Sequence, residues 1–161
     1  YAKGKKLILE IGTDRGGTLY KFIHAADPSA EIVFIDMPGG FGSSNDQPDA
    51  EELQSWKLPD QTLHIIRADS HAPGTLKQVK KILAGRKFDF AFIDGDHTYE
   101  GVKADYDMYH EHCEVMAFHD IVKHPVNAIG VKQFWDELEG NKIEFIKDPN
   151  QGWAGIGLVK L

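Results

Sequence analysis

The segment FAFIDGDHTYEG, residues 90–101, places two carboxylates and an imidazole within four positions, directly after an apolar run. Asp94 and Asp96 offer oxygen atoms that bind hard cations such as Mg²⁺ or Ca²⁺ and that accept protons. A histidine titrates near neutral pH, so His97 suits a general base. The alternative is a solvated turn in which Asp96 or Thr98 caps the following helix. The segment thus predicts either a catalytic loop or an ordinary helix start.

A glycine-rich segment near the amino terminus, EIGTDRGG at residues 10–17, predicts a ligand-binding turn. Glycines let the backbone approach a ligand and let the N-terminus of the following helix face it. An acid ends the next apolar run, 19 residues after the last of these glycines, where it can accept hydrogen bonds from ribose hydroxyls. We therefore expect a nucleotide or nucleoside to be held by Glu10, Gly12, Thr13, Gly16, Gly17 and Asp36. A tight turn without ligand is the alternative, and the spacing is not the G-x-G-x-x-G of dinucleotide sites.

Acids recur at the ends of apolar runs, and histidine accompanies two of them. The carboxyl ends of parallel strands face one crevice, so Asp36, Asp69, Asp94 and Asp120 should share one rim. Two or three of these carboxylates, together with waters, would suit a hard cation such as Mg²⁺ or Ca²⁺, and His119 directly precedes Asp120. The cluster HEHC at residues 110–113 falls where a helix should end, and a metal is not expected there.

Apolar runs alternate with amphipathic stretches along the chain, which predicts βαβ units and a parallel sheet covered on both faces. The expected strands are residues 6–12, 31–36, 62–69, 88–94, 114–120, 141–148 and 152–161. The expected helices are residues 16–26, 72–83, 98–109 and 130–140, the last with Gly140 as its C-cap. The last two strands have no helix between them, so they predict a hairpin. The fold class is α/β, a doubly wound, seven-stranded, mostly parallel sheet with a C-terminal antiparallel hairpin.

Length and charge narrow the classes of function. The 161 residues predict one domain, residues 1–161, and the chain starts without Met, so we expect an upstream segment to be missing. The net charge of −7 and the scattered basic residues count against nucleic-acid binding. No run of about 18 apolar residues predicts a membrane span. A single cysteine, Cys113, excludes an internal disulfide and favours a reducing, cytoplasmic location.

The motifs LILEIGTDRGG, EIVFID, RADS, FDFAFIDGDHTYEGVKADYDMY, MAFHDIV and GVKQFWDEL resemble class I S-adenosylmethionine-dependent methyltransferases. The most similar branch is that of the metal-dependent sugar O-methyltransferases and the cephalosporin hydroxylase-like proteins. The resemblance covers nearly the whole chain, and FIDGDHTYEGVKAD followed by HD at the next strand end is its most specific part. It implies S-adenosylmethionine (SAM) as cofactor and Mg²⁺ or another divalent cation.

The resemblance also assigns roles to individual residues. Glu10, Gly12 and Gly16 would shape the methionine pocket, and Asp36 would bind the ribose, while Asp69 and Ser70 would border the adenine. Asp94 would contribute to the cofactor pocket and, with Asp120, would ligate the metal. His119 stands where relatives commonly carry a further acid, and it would be the third ligand. Either His97 or Asp96 would serve as the base.

The expected reaction is metal-assisted O-methylation of a hydroxyl on a sugar or other small molecule. Residues 37–56, expected to be irregular, and residues 121–128 would recognise this acceptor. One alternative is a cofactor-binding protein without catalysis. Another is a D-x-D-x-T phosphatase with Asp94 as nucleophile, although three strands precede the motif here and that class places it on the first strand. A dinucleotide oxidoreductase is disfavoured by the glycine spacing, and a homo-oligomer is compatible with the sequence.

Overall fold

The computed structural model describes residues 1–37, 47–123, 129–148 and 154–161. Seven strands form one sheet: β1 (Leu7–Ile11), β2 (Glu31–Asp36), β3 (Thr62–Arg67), β4 (Phe90–Ile93), β5 (Val115–His119), β6 (Asn141–Phe145) and β7 (Ile156–Lys160). The helices are α1 (Gly17–Ala25), α2 (Ala50–Trp56), α3 (Pro73–Leu83), α4 (Tyr99–Tyr109) and α5 (Val131–Glu137). The strand order is β3-β2-β1-β4-β5-β7-β6, and the first five strands pair in parallel.

The sheet is apolar on both faces because helices cover both. Successive side chains of a strand point to opposite faces, so Leu7 and Leu9 face one layer while Ile8 faces the other. Helices α3, α4 and α5 pack on the first layer, and α1 and α2 pack on the second. This arrangement confirms the predicted doubly wound fold and explains why the central strands read as unbroken apolar runs.

The last two strands pair antiparallel, as predicted, and β7 also lies antiparallel to β5. The terminal hairpin therefore inserts its second strand between β5 and β6 and completes the sheet. Gly157 on β7 lies under the ring of Trp135, where a Cβ atom would come within 2.7 Å of the indole. The hairpin is thereby packed directly against α5.

Two sequence-based expectations about helices are wrong. Part of the stretch expected to be irregular, residues 37–56, forms α2, because the Asp49 carboxylate caps its first turn by accepting the Glu52 N–H at 2.9 Å. Helix α5 ends at Glu137, before the expected C-cap Gly140. Lys142, on β6, donates to the carbonyl oxygens of Trp135 and Leu138 and so satisfies the end of the helix early.

The chain reverses its direction of winding between β1 and β4, which is where open α/β sheets bind ligands. Gly12, just after β1, has φ +83°, and a Cβ atom there would lie 2.1 Å from the Asp94 carbonyl oxygen. Only glycine therefore lets the two strand ends meet. Among the described residues, no helix has the length and apolar character needed to cross a membrane.

Candidate active site

A cavity of about 670 Å³ opens at the carboxyl ends of β1, β2, β3 and β4. Its volume is typical of small-molecule and cofactor sites. The structure brings six of the predicted cofactor residues to its wall: Gly12, Thr13, Asp36, Asp69, Ser70 and Asp94. Both candidate bases, Asp96 and His97, line the same cavity. The residues chosen from separate strand ends thus converge on one site.

The remaining predicted cofactor residues, Glu10, Gly16 and Gly17, are not among the residues that line the cavity. Gly16 precedes α1 with φ +80°, and a Cβ atom there would lie 2.5 Å from the ring of Trp56. Its role in the structure is to let α2 pack against the turn. Gly17 is the first residue of α1, and a Cβ atom there would meet nothing within 4 Å. These two glycines have different structural roles although they are adjacent.

Glu10 lies fully buried at the end of β1, below the cavity. Its Oε2 accepts a hydrogen bond from the Thr13 hydroxyl at 3.1 Å, and its Oε1 has no hydrogen-bond partner among the described residues. Burial raises the pKa of this carboxyl well above its usual range, against the Thr13 hydrogen bond, and the charges of Asp94 and Asp36 raise it further. A cationic ligand group would offset the cost of burying this acid.

Asp36 is held by neighbours that the sequence analysis did not identify. Arg67 lies opposite Asp36 in the β2–β3 register, and its Nη1 donates to Oδ2 at 3.2 Å. Gln47 donates to the same oxygen at 3.1 Å, and the guanidinium of Arg67 lies 5.3 Å from the centre of the Phe34 ring. Burial raises the pKa of Asp36, and Arg67 opposes this shift. The register of residues 31–36 against residues 62–67 places Arg67 beside Asp36, and no pattern in the sequence gives that register.

A second pair beside the cavity, His71 and Asp105, also escaped the sequence analysis. His71 lines the cavity, and its Nε2 lies 3.3 Å from Oδ1 of Asp105, which is fully buried on α4. The separation suits an ion pair, but the angles do not suit a hydrogen bond. The Asp105 carboxylate raises the pKa of His71, burial opposes it, and Asp69 and Asp96 add to the increase. Asp105 lies in the middle of α4, so the rule that acids follow buried strands does not identify it.

Two carboxylates and two imidazoles form a cluster where β4 and β5 end. Oδ1 of Asp94 lies 3.1 Å from Nε2 of His97 and 3.1 Å from Nδ1 of His119. Nδ1 of His97 hydrogen-bonds to Oδ2 of Asp120 at 2.8 Å, and Oδ1 of Asp120 accepts the Ala154 N–H at 2.9 Å. The four side chains form one continuous network.

The network shifts the pKa values of its histidines upward. Hydrogen bonds to Asp120 and Asp94 raise the pKa of His97 to about 10, although burial opposes the charged form. Burial also opposes protonation of His119, but Asp94 and Asp120 outweigh it and raise its pKa. Both ring nitrogens of His97 are engaged by carboxylates, so the assignment of the base to His97 or Asp96 stays a prediction.

The cluster fits a divalent cation on one specific ground. Nδ1 of His119 is buried and makes no hydrogen bond within the described part of the chain, although it lies close to Asp94. One donor atom each from Asp94, His97 and His119 lies within 4.8 Å of the others. Three such atoms can coordinate one ion. The predicted metal set Asp94, His119 and Asp120 is close to this arrangement, but His97 replaces Asp120 in it.

A family model described as "Methyltransferase domain" matches residues 9–121, which is well over half of the chain. The chain belongs to this methyltransferase family. The match spans β1 to β5 and includes all four residues of the His/Asp cluster and every residue that lines the cavity except Ile129. A comparison with curated protein sequences found no match.

Several solved methyltransferases share the fold. An O-methyltransferase from Bacillus cereus, crystallised with S-adenosylhomocysteine (SAH), is 18% identical to this chain with a TM-score of 0.68. The match covers 98% of this chain and 75% of the Bacillus cereus chain. TomG from Streptomyces achromogenes, an O-methyltransferase of tomaymycin synthesis solved with SAM, is 19% identical with a TM-score of 0.65, and the match covers 96% of this chain and 72% of TomG. The calicheamicin methyltransferase CalS11 is 18% identical with a TM-score of 0.68, covering 96% and 72%. These similarities confirm the predicted Rossmann-like methyltransferase fold.

The segments expected to recognise the acceptor are only partly described. Residues 38–46 and 124–128 lie outside the described residues. Met37 and Gln47, on either side of the first gap, both line the cavity, as does Ile129 after the second. The described residues on either side of the first gap therefore line the cavity, and so does the residue that directly follows the second segment.

Proposed function

We propose that this methyltransferase uses SAM to methylate a hydroxyl group of a small molecule. The observation that carries the proposal is the acidic cavity of a methyltransferase-family chain. Five aspartates line it: Asp14, Asp36, Asp69, Asp94 and Asp96. Such a wall favours a nucleoside that carries positive charge, as the sulfonium of SAM does, and repels the phosphates of a dinucleotide. The negative charge of the cavity wall and the glycine spacing therefore both disfavour a dinucleotide-dependent oxidoreductase.

The contacts of Asp36 support its role as the ribose-binding residue. Its Oδ2 accepts hydrogen bonds from Arg67 and Gln47. These donors fix the orientation of the carboxylate before a ligand arrives, which lowers the cost of binding. Asp69 and Ser70 stand across the cavity on the β3–α3 connection and suit the adenine end.

The chemistry needs an acceptor oxygen, an aligned methyl group and a proton acceptor. Bound SAM supplies a methyl group whose bond to sulfur breaks as its bond to the acceptor oxygen forms. Asp96 is the proton acceptor in this proposal, because its exposed side chain lines the cavity. Among the described residues, the Thr98 N–H donates to its Oδ1 at 2.9 Å and none donates to its Oδ2. His97 has no ring nitrogen left to receive the proton. A divalent cation at the His/Asp cluster would hold the acceptor hydroxyl and lower its pKa.

Calorimetric titration with SAH tests the cofactor assignment. We expect micromolar binding to the wild type and binding at least about tenfold weaker for Asp36→Ala, because charged hydrogen bonds to the ribose contribute roughly 1.5–3 kcal/mol each. Asp60→Ala removes an exposed acid from the turn before β3 and should bind like the wild type. Circular dichroism of each variant verifies folding. A folded wild type that binds no SAH would overturn the assignment.

A screen with methyl-labelled SAM tests the reaction. Transfer of label to hydroxylated small molecules, lost in Asp96→Asn, is the expected result. SAH binding without transfer to any of a broad panel of sugars and phenols would instead support the alternative of a cofactor-binding protein without catalysis. Transfer only to amines or thiols would contradict the O-methylation.

A further inference from the structure

We propose that Asp94, His97 and His119 form a two-histidine, one-carboxylate site for a borderline transition metal such as Zn²⁺ or Co²⁺, and that Asp120 orients His97 instead of ligating the ion. The proposal deepens the proposed function of the same cavity and rests on it for its catalytic meaning. It changes both the ligand set expected from the sequence and the class of metal.

The donor spacing suits one small ion. Oδ1 of Asp94 lies 3.1 Å from the nearer nitrogen of each histidine. Ligand atoms about 2.0–2.2 Å from a Zn²⁺ ion, at tetrahedral or octahedral angles, stand roughly 3 Å apart. The three donor atoms already lie within 4.8 Å of one another, so small movements of the side chains would bring all three to bonding distance of one ion.

His119 supplies the observation that a salt-bridge network alone does not explain. A histidine that served only to neutralise Asp94 would donate a well-directed hydrogen bond to it. Nδ1 of His119 instead lies 3.1 Å from Oδ1 of Asp94 and 3.3 Å from Oδ1 of Asp120, buried and without a hydrogen bond to any residue that the structure describes. In the neutral tautomer that carries its proton on Nε2, Nδ1 of His119 has a lone pair that can bind a metal.

The contacts of His97 follow the usual pattern of a metal-bound histidine. Such a histidine donates its second ring N–H to a carboxylate, which fixes the tautomer and the ring orientation. His97 makes this bond from Nδ1 to Asp120 at 2.8 Å and thereby directs Nε2 towards Asp94. Asp120 is itself fixed, because it adopts φ +61° and accepts the Ala154 N–H. The backbone of His97 is held as well, since its carbonyl oxygen accepts the Gly130 N–H at 2.7 Å.

The ligand set determines the metal. Mg²⁺ binds oxygen almost exclusively and keeps several waters, whereas imidazole suits Zn²⁺, Co²⁺, Ni²⁺ and Fe²⁺. Two of the three protein donors here are imidazoles. Because Asp94 and His97 also line the cavity, an acceptor oxygen placed there would be near the metal. With His97 on the metal, Asp96 is left as the proton acceptor.

Cobalt absorption tests the site without any turnover. Titration of Co²⁺ into chelator-treated protein should give visible d–d bands at a stoichiometry of one, and Zn²⁺ should abolish them at micromolar concentration while Mg²⁺ at millimolar concentration does not. His97→Ala and His119→Ala should each weaken Co²⁺ binding at least about 100-fold. Asp120→Asn should weaken it about 10–100-fold and retain the bands, as expected of an orienting residue. His24→Ala, on the exposed face of α1, is the matched control and should leave the titration unchanged.

A variant designed to favour Mg²⁺ over Co²⁺ provides an independent test. His119→Asp replaces one imidazole with the acid that the resembling methyltransferases carry, so it should raise Mg²⁺ affinity at least about tenfold relative to Co²⁺. Absent cobalt bands, or bands that persist in both histidine variants, would overturn the proposal, as would wild-type Mg²⁺ binding as tight as that of Zn²⁺. SAH binding by the same preparation separates the two ideas: SAH binding without Co²⁺ binding rejects only the metal site, whereas Co²⁺ binding without SAH binding rejects only the cofactor.

Discussion

Gly12, in the loop after β1, and Gly17, the first residue of α1, are five positions apart, but the structure predicts different responses to alanine. Gly12 has φ +83°, and an added Cβ atom would lie 2.1 Å from the Asp94 carbonyl oxygen, far inside the 3.4 Å of ordinary contact. The left-handed conformation costs an alanine about 1–2 kcal/mol. Relief of the clash would separate the ends of β1 and β4. It would weaken the hydrogen bonds from the Asp94 N–H to the Ile11 carbonyl and from the Gly12 N–H to the Ile35 carbonyl, each of which stabilises the fold by about 1 kcal/mol.

We therefore expect Gly12→Ala to lower the free energy of unfolding by about 3–4 kcal/mol, from a total of roughly 5–15 kcal/mol. The melting temperature should fall by roughly 6–16 °C for a chain of this size. Gly17→Ala is the matched control, because its Cβ atom meets open space and alanine favours helices, so its stability should be unchanged or up to about 1 kcal/mol higher. Urea denaturation followed by circular dichroism measures both. Equal midpoints for Gly12→Ala and wild type would refute the steric reasoning.

Three further predictions concern other parts of the chain. Asp105→Asn should lower the pKa of His71, measured by NMR titration of the ring. The same His71 pKa in the variant and the wild type would contradict the coupling. Because folding raises this pKa, the pair stabilises the fold fully below about pH 6.5 and loses its contribution as pH rises through the folded value. Cys113 is fully buried and burial raises its pKa to about 12, so thiol reagents should modify it slowly in buffer and rapidly in urea; rapid reaction of the native protein would show exposure. Thr98→Ala should cost about 1 kcal/mol in urea denaturation and Thr98→Ser much less, since the hydroxyl accepts the Gly101 N–H at 3.0 Å; equal losses would argue against the cap.

The strands and the site rim could be predicted because they depend on local patterns. A buried parallel strand must be apolar along its whole length, and the acid that follows it marks its carboxyl end. This rule located β1 to β5 and placed Asp36, Asp69 and Asp94 at one cavity. Helix α2 was missed because its apolar content is low, although Asp49 followed by Glu52 was a capping signal.

The sequence by itself determined the fold class, the family resemblance and the residue types that gather at the sheet's carboxyl edge. Only the tertiary structure decided which of those residues touch. Arg67 reaches Asp36 because β2 and β3 pair in a particular register, and Asp105 reaches His71 because α4 packs beside the β3–α3 connection. Likewise His97 lies between Asp94 and Asp120 because two strands that are adjacent in the sheet end together. Such contacts join residues up to 34 positions apart in the chain, and periodicity and spacing carry no information about them because they depend on the path of the backbone in three dimensions.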